Sequence, residues 1–193
     1  MVQYDLIIIG AGPAGLSAAL QGSRLGLKVL VLEEHKAIGE PMHCGEVISA
    51  CGLSRLQMEI PSEVISRRIK GIRCNFPNGR IITFYEEGVV LEKAKFEQWL
   101  AKETVKQGAQ ILLSERVTGL KLKNSSWKIA TRTSSFDSRI VIDASGVASV
   151  ASRILGLNKE PKKILGVQYL IDNLKLDDHL DFYFLPELAP SGY

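Results

Sequence analysis

The chain has 193 residues, 46% of them apolar, enough to bury the core of one domain or of two small ones. Its formal charge of +3 comes from interspersed Lys and Arg with no basic block, which argues against nucleic acid as a partner and leaves room for peripheral contact with an anionic membrane surface. No apolar stretch is long enough to span a bilayer, and the scattered Cys44, Cys51 and Cys74 with three histidines lacking ligand spacing predict neither a disulfide framework nor a metal site, in a reducing, cytoplasmic setting.

The first element is a strand. Tyr4-Asp5-Leu6-Ile7-Ile8-Ile9 ends in four consecutive apolar residues, the pattern of a strand buried on both faces in a parallel sheet. Asp5 and the absence of Lys or Arg before this run exclude a signal peptide. Gly10-Ala11-Gly12-Pro13-Ala14-Gly15 follows and opens a helix. In this G-x-G-x-x-G turn Gly10 permits the tight exit from the strand, Gly12 removes a Cβ so that backbone can approach a pyrophosphate, and Gly15 lets the helix lie close on the sheet. Pro13 and Ala14 suit the first helical turn, whose unpaired amides receive an anion. Ala19 keeps the strand-facing side of the helix small, and Gly26 is its expected C-cap.

A second apolar run, Val29-Leu30-Val31-Leu32, ends on Glu33, 18 residues past Gly15. A dinucleotide fold places there the carboxylate that accepts the adenosine ribose hydroxyls. Residues 34–49 then lose periodicity and are rich in Gly and Pro, and a loop beyond the carboxyl end of a parallel strand is placed to pass a cofactor. Within it Cys44-Gly45 offers either a small polarizable wall and an open amide against a ring system, or an ordinary buried thiol.

The glycine turn with Pro13-Ala14, the Glu33 strand end, and Pro41-x-x-Cys44-Gly45-Glu46-x-x-Ser49 resemble the geranylgeranyl reductase family of flavoproteins, and within it the archaeal digeranylgeranylglycerophospholipid reductases. The resemblance covers essentially the whole chain. It implies an α/β fold: a Rossmann-like FAD-binding domain of the p-hydroxybenzoate hydroxylase type with an inserted, here incomplete, antiparallel β substrate domain. The expected division is 1–60 and 88–163 for the FAD domain, and 61–87 and 164–193 for the partial substrate sheet.

Ser66 to Tyr85 read as antiparallel strands turning at Pro77-Asn78-Gly79. Phe96, Trp99, Leu100 and Thr104 fall at helical spacing in a helix that Gly108 closes. The resembled family has Arg and Asp at the positions of Lys93 and Glu97, and its Arg touches the flavin. Lys93 keeps the charge and loses the planar fork. Residues 109–113 form a third sheet strand, and the resemblance places the backbone of Val117 against adenine. Residues 120–142 alternate as a β-meander covering one side of the sheet. It runs into Asp143-Ala144-Ser145-Gly146-Val147-Ala148-Ser149, where flavoproteins of this type commonly carry Gly-Ala-Asp-Gly-x-x-Ser. The carboxylate has moved two places, and the small-residue turn is expected to let backbone approach the cofactor. Leu165–Ile171 and Asp181–Pro186 read as further strands, the last leading to Pro190-Ser191-Gly192-Tyr193.

These readings make the chain the N-terminal half of an FAD-dependent reductase saturating C=C bonds of geranylgeranyl chains in membrane lipid precursors. Its implied partners are a prenyl-lipid substrate and an external electron donor, ferredoxin or NAD(P)H. Cofactor contacts are assigned to Gly10, Gly12, Pro13, Ala14, Gly15, Glu33, Cys44, Gly45, Val47, Lys93 and Val117. No residue makes a convincing acid or base, and Cys44 is the side chain to test beside the flavin. An unpaired strand edge and an incomplete flavin site are expected, so that this piece alone is inactive. Two other readings stand: a flavin monooxygenase or halogenase of the same fold, marked by oxygen uptake on an aromatic substrate, and a non-catalytic adenine nucleotide-binding module.

Overall fold

A computed structural model describes residues 3–41, 46–55, 59–157 and 166–189. The chain divides into two compact units, Met1–Met42 with Ala94–Gly166 and His43–Lys93 with Val167–Tyr193. The boundaries fall at 42/43 and 93/94, where the sequence reading sets 60/61 and 87/88.

The first unit is built on a six-stranded sheet. Strand β1 (Tyr4–Ile9) pairs in parallel with β2 (Val29–Leu32), and helix α1 (Pro13–Arg24) crosses between them. Ile7, Ile8, Leu30 and Val31 are fully buried, as the uninterrupted apolar runs predict. Alternation along β1 turns Leu6 toward α1, where its Cδ2 sits 3.0 Å from the position a Cβ on Gly22 would take. Ile7 and Ile9 face the other way. Helix α1 ends one residue before the expectation: Leu25 is its C-cap and Gly26, with φ of 78°, follows it.

Of the second unit's elements, β3 (Val47–Ser49), α2 (Ala50–Arg55), β4 (Ile65–Ile69), β5 (Gly71–Asn75), β6 (Ile81–Phe84) and β7 (Gly88–Leu91) come next in the chain. The chain then enters α3 (Lys93–Lys106), which buries Phe96, Glu97, Leu100, Ala101 and Thr104. Trp99 is only half-buried, and Glu97 takes a place on the inner face that apolar spacing did not mark. Thr104 Oγ1 donates to the Leu16 carbonyl at 3.3 Å, fastening α3 to α1. Strand β8 (Gln110–Leu112) then pairs in parallel with β2.

The meander follows as β9 (Gly119–Lys123), β10 (Ser126–Ala130) and β11 (Ser135–Asp143), paired antiparallel in sequence. Strand β11 is nine residues long and serves two partners end to end: Ser135 to Ser138 pair with β10, and Ser138 to Asp143 pair in parallel with β1. The sheet order is therefore β8-β2-β1-β11-β10-β9. Leu120, Ile129 and Phe136 pack with Ile7, Ile9, Leu30 and Leu32 in one core cluster, so the meander covers that face as its alternation predicts. After β11 come a short 3₁₀ turn at Gly146–Ala148 and helix α4 (Val150–Leu155).

The second unit holds two three-stranded sheets, β3-β7-β4 and one in which β5 is flanked by β6 and by β12 (His179–Tyr183). The expected hairpin joins β5 to β6: Gly79, at φ of 77°, donates to the Phe76 carbonyl at 3.0 Å, and Phe76 N–H donates to Arg80 at 2.9 Å. Strand β12 pairs in parallel with β5, and the Phe76 and Phe184 rings stack at 5.1 Å. In the described part of the expected strand 165–171 no ladder forms. Val167, Tyr169, Leu170 and Ile171 there are 69–83% exposed. Strands β6 and β12 are the outer strands of their sheet, and Ile81, Phe84, Tyr85 and Tyr183 are exposed on or beside them. Pro190 to Tyr193 lie outside the described residues.

Candidate functional site

The site grows out of the end of β1. Sheet hydrogen bonding continues into the turn, with Gly10 N–H donating to Leu32 at 2.8 Å and Ala144 N–H donating to Ile9 at 2.9 Å. Gly10 has φ of 101°, and a Cβ on it would lie 2.6 Å from the Ala144 carbonyl oxygen. Only glycine fits there, for conformation and for space. Gly15 is ordinary in φ, yet a Cβ on it would sit 2.0 Å from the Gly10 carbonyl oxygen, so its lack of a side chain lets α1 close onto the strand end.

Gly12 differs from both. It is the N-cap of α1 in extended backbone, φ −74° and ψ 179°, a conformation any residue adopts, and a Cβ there would meet nothing within 4 Å. Among the described residues no packing contact asks for glycine at this position. The start of α1 has no side-chain capping bond; Pro13 carries no N–H and Leu16 N–H donates to the Gly12 carbonyl at 2.9 Å, so the Ala14 and Gly15 amides are the first-turn donors left to an anion. The turn thus has the bare backbone and the uncapped helix start that a diphosphate needs.

Glu33, 8% exposed, stands beside this turn. Its Oε2 accepts the Ala11 N–H at 2.6 Å, tying the second strand's end to the glycine turn. Its Oε1 accepts both the main-chain N–H of His35 at 2.9 Å and His35 Nδ1 at 2.6 Å. The Glu33 main chain is clamped as well, its N–H donating to Leu112 and its carbonyl accepting from Glu115. The carboxylate predicted from strand-end spacing is therefore aimed at the turn and held there. Its local partner His35 carried no sequence signal except its place two residues on, the separation at which an acidic side chain takes a nearby main-chain N–H.

Asp143 and Ser145 show where the displaced carboxylate goes. Asp143 Oδ1 accepts the Ser145 N–H at 3.1 Å and the Ser145 hydroxyl, and Oδ2 accepts the Ala151 N–H at 2.7 Å. Ser145 Oγ accepts the Val150 N–H at 2.8 Å. Together they cap α4 from inside the chain. Ala144 still provides the small residue beside Gly10 and Gly15, while Arg153 is exposed.

The structure gathers Gly10, Gly12, Pro13, Ala14, Gly15 and Glu33 around one turn of the first unit. Val117, in the same unit, is buried in the core cluster with Ile9 and Leu32. Val47 and Lys93 belong to the second unit, Val47 half-buried in β3 and Lys93 half-buried at the start of α3. Beside Lys93, burial pushes the Glu46 carboxyl above its usual range; the charge of Glu92 adds to this and that of Lys93 opposes it. Cys44 and Gly45 lie outside the described residues. Asp177, Asp178 and His179 are the group among the described residues whose ligand atoms come close enough for a cation, and they are engaged in ion pairs of the β12 sheet.

A strand, a glycine turn opening a helix, and a carboxylate at the end of the next parallel strand define a Rossmann-like dinucleotide-binding protein. The sequence model of the FAD dependent oxidoreductase family matches residues 5–154, and the chain belongs to that family, whose cofactor is FAD. It is 35% identical to a digeranylgeranylglycerophospholipid reductase of Methanosarcina acetivorans over 98% of its own length and 50% of that protein's. It also superposes on a crystal structure of a geranylgeranyl bacteriochlorophyll reductase-like protein from Thermoplasma acidophilum with a TM-score of 0.82 at 31% identity, covering 94% of this chain and 50% of the other. The halogenase PltM, solved with phloroglucinol and FAD, shares the fold with a TM-score of 0.68 at 19% identity, covering 80% of this chain and 37% of the other. The chain thus spans about half the length of the curated relatives it matches. Among the described residues no helix is long and apolar enough to cross a membrane.

Proposed function

We propose that this chain is the FAD-binding half of a reductase that saturates carbon-carbon double bonds in geranylgeranyl chains of membrane lipid precursors. The observation that carries the cofactor part is Gly12, a glycine whose Cβ position has no neighbour within 4 Å among the described residues and which stands at an uncapped helix start beside a fixed carboxylate. The substrate part rests on the identity to the Methanosarcina reductase across nearly the whole chain.

In this reading the amides at the start of α1 bind the diphosphate, Gly12 gives it room, and Glu33 accepts the ribose hydroxyls of the adenosine. Val117 backs the adenine, and Lys93 and Val47 with the Cys44-Gly45 loop approach the flavin. Bound FAD supplies a two-electron carrier whose reduced form delivers hydride to an alkene. The double bond gains a hydride and a proton, and an external donor returns the two electrons. The protein's part is to hold the prenyl chain against the flavin and keep water away. In this scheme residues 1–60 and 88–163 form the FAD domain, and 61–87 with 164–193 begin the substrate sheet.

The test is an anaerobic incubation of the longest polypeptide that carries this sequence, loaded with FAD and supplied with dithionite and a geranylgeranyl glycerolipid. Mass spectrometry should find a gain of two hydrogens per saturated bond. Unchanged lipid mass with FAD retained, together with oxygen-dependent turnover of an aromatic substrate, would overturn the reading in favour of a monooxygenase or halogenase.

A further inference from the structure

Glu33 has more donors than its assigned role allows. A carboxylate offers about four lone-pair sites, two on each oxygen. On Oε1 both are taken, by the main-chain N–H and by Nδ1 of His35, and on Oε2 one is taken by Ala11 N–H. One site remains, whereas a ribose diol brings two donors. The main-chain donors are fixed by the fold. The imidazole is attached through rotatable bonds, and its side chain is 47% exposed, so it alone has both the freedom and the space to leave.

We propose that His35 is a positioning residue that competes with the cofactor's ribose for Glu33, so that removing its imidazole tightens FAD binding. This inference rests on the FAD reading above. Without cofactor, His35 holds Glu33 pointing at the turn and satisfies a carboxylate that is largely shielded from water. On binding, the ribose hydroxyl takes the place of Nδ1 on Oε1, and the Ala11 and His35 main-chain bonds stay. The imidazole gives up its hydrogen bond, a cost that a side chain unable to reach Oε1 would not impose.

The charged groups around the pair leave it to itself. Glu34 is answered by Arg116 at 3.4 Å, Glu115 is bound through its carboxylate to Thr133, and Lys36 is exposed on the following turn. Glu33 is the carboxylate His35 reaches, at 2.6 Å.

The experiment is a fluorescence titration with FAD at one fixed pH. It compares the wild-type chain with His35→Ala, which cannot reach Oε1, and His35→Asn, which retains a donor. His35→Ala should bind FAD roughly two- to fivefold more tightly than wild type, as the loss of one competing, partly exposed contact predicts, and His35→Asn should stay near the wild-type value. Unchanged or weaker binding by His35→Ala, or the same gain in His35→Asn, overturns the proposal while leaving FAD binding intact. Failure of the wild-type chain to bind FAD overturns the FAD reading and this inference together.

Discussion

At the scale of single residues, the three glycines of the first turn separate what the fold needs from what a ligand needs. Gly10 and Gly15 are demanded by the chain: a Cβ would strike backbone at 2.6 Å and 2.0 Å. Gly10→Ala and Gly15→Ala should each lower stability by about 1–3 kcal/mol, as strain at a special backbone position or a forced shift does. Gly12→Val should change the thermal midpoint of the cofactor-free chain far less than either, because its side chain would point into open space from an ordinary conformation. Thermal melts of the three variants check this, and a Gly12 variant as unstable as the Gly10 variant would contradict it. The tight exit at Gly10 and the close helix at Gly15 were legible in the spacing of the glycines, as was the place of Glu33 at the strand end. His35 was not. A histidine beside a carboxylate has no pattern of its own, and only the folded loop brings Nδ1 to Oε1. Asp143 was legible as a departure but not in its destination, since capping α4 requires knowing that the helix starts at Val150.

At the scale of elements, the parallel strands and α1 follow from long apolar runs and glycine punctuation, which leave few alternatives. Weaker signals fared differently. The apolar residues of 166–171 look like a strand and do not form one, because β-propensity expresses packing against a partner rather than a preference of the isolated backbone. Strand β12 forms because it has a partner and an ionic clasp. Arg73 on β5 grips Asp181 through Nε at 2.8 Å and Nη2 at 2.6 Å, and Asp177 through Nη1 at 2.7 Å, while Lys70 pairs with Asp178 at 2.6 Å. The guanidinium holds the Asp181 carboxyl below its usual range; the His179 main-chain N–H and then Arg73 do so for Asp177, and Lys70 for Asp178. Carboxylates whose folded values are depressed stabilise the fold above their unfolded value, about 4, and lose that contribution as pH falls through the folded value. Amide protection at Leu180 and Phe182, taken relative to the intrinsic exchange rate at each pH, should therefore fall below about pH 4, before that of β1 and β2, whose core is apolar. Arg73→Met should remove most of this acid step. Exchange that rises together in β12 and β1 would show that the clasp is not what holds the edge.

At the scale of the molecule, the first unit is a Rossmann-like domain whose sheet is extended by a meander through the long strand β11, and the second is a pair of small sheets. That a chain of this composition would alternate between a parallel sheet and antiparallel pieces was legible, because the apolar period changes from continuous runs to alternation. Where one unit passes to the other was less so. The units change over at 42/43, 93/94 and 166/167, and the first of these falls inside the aperiodic stretch 34–49, which marks no single point of division. The substrate remains the part furthest from the residues described, resting on likeness to proteins about twice as long.

The central claim is that the first turn presents bare backbone to the diphosphate of FAD. Equilibrium binding of FAD to the wild-type chain and to a folded Gly12→Val variant tests it most directly. Saturable binding by the wild type and its loss in the variant, with both melting at similar temperature, is the predicted result. Undiminished FAD affinity in the variant would contradict it.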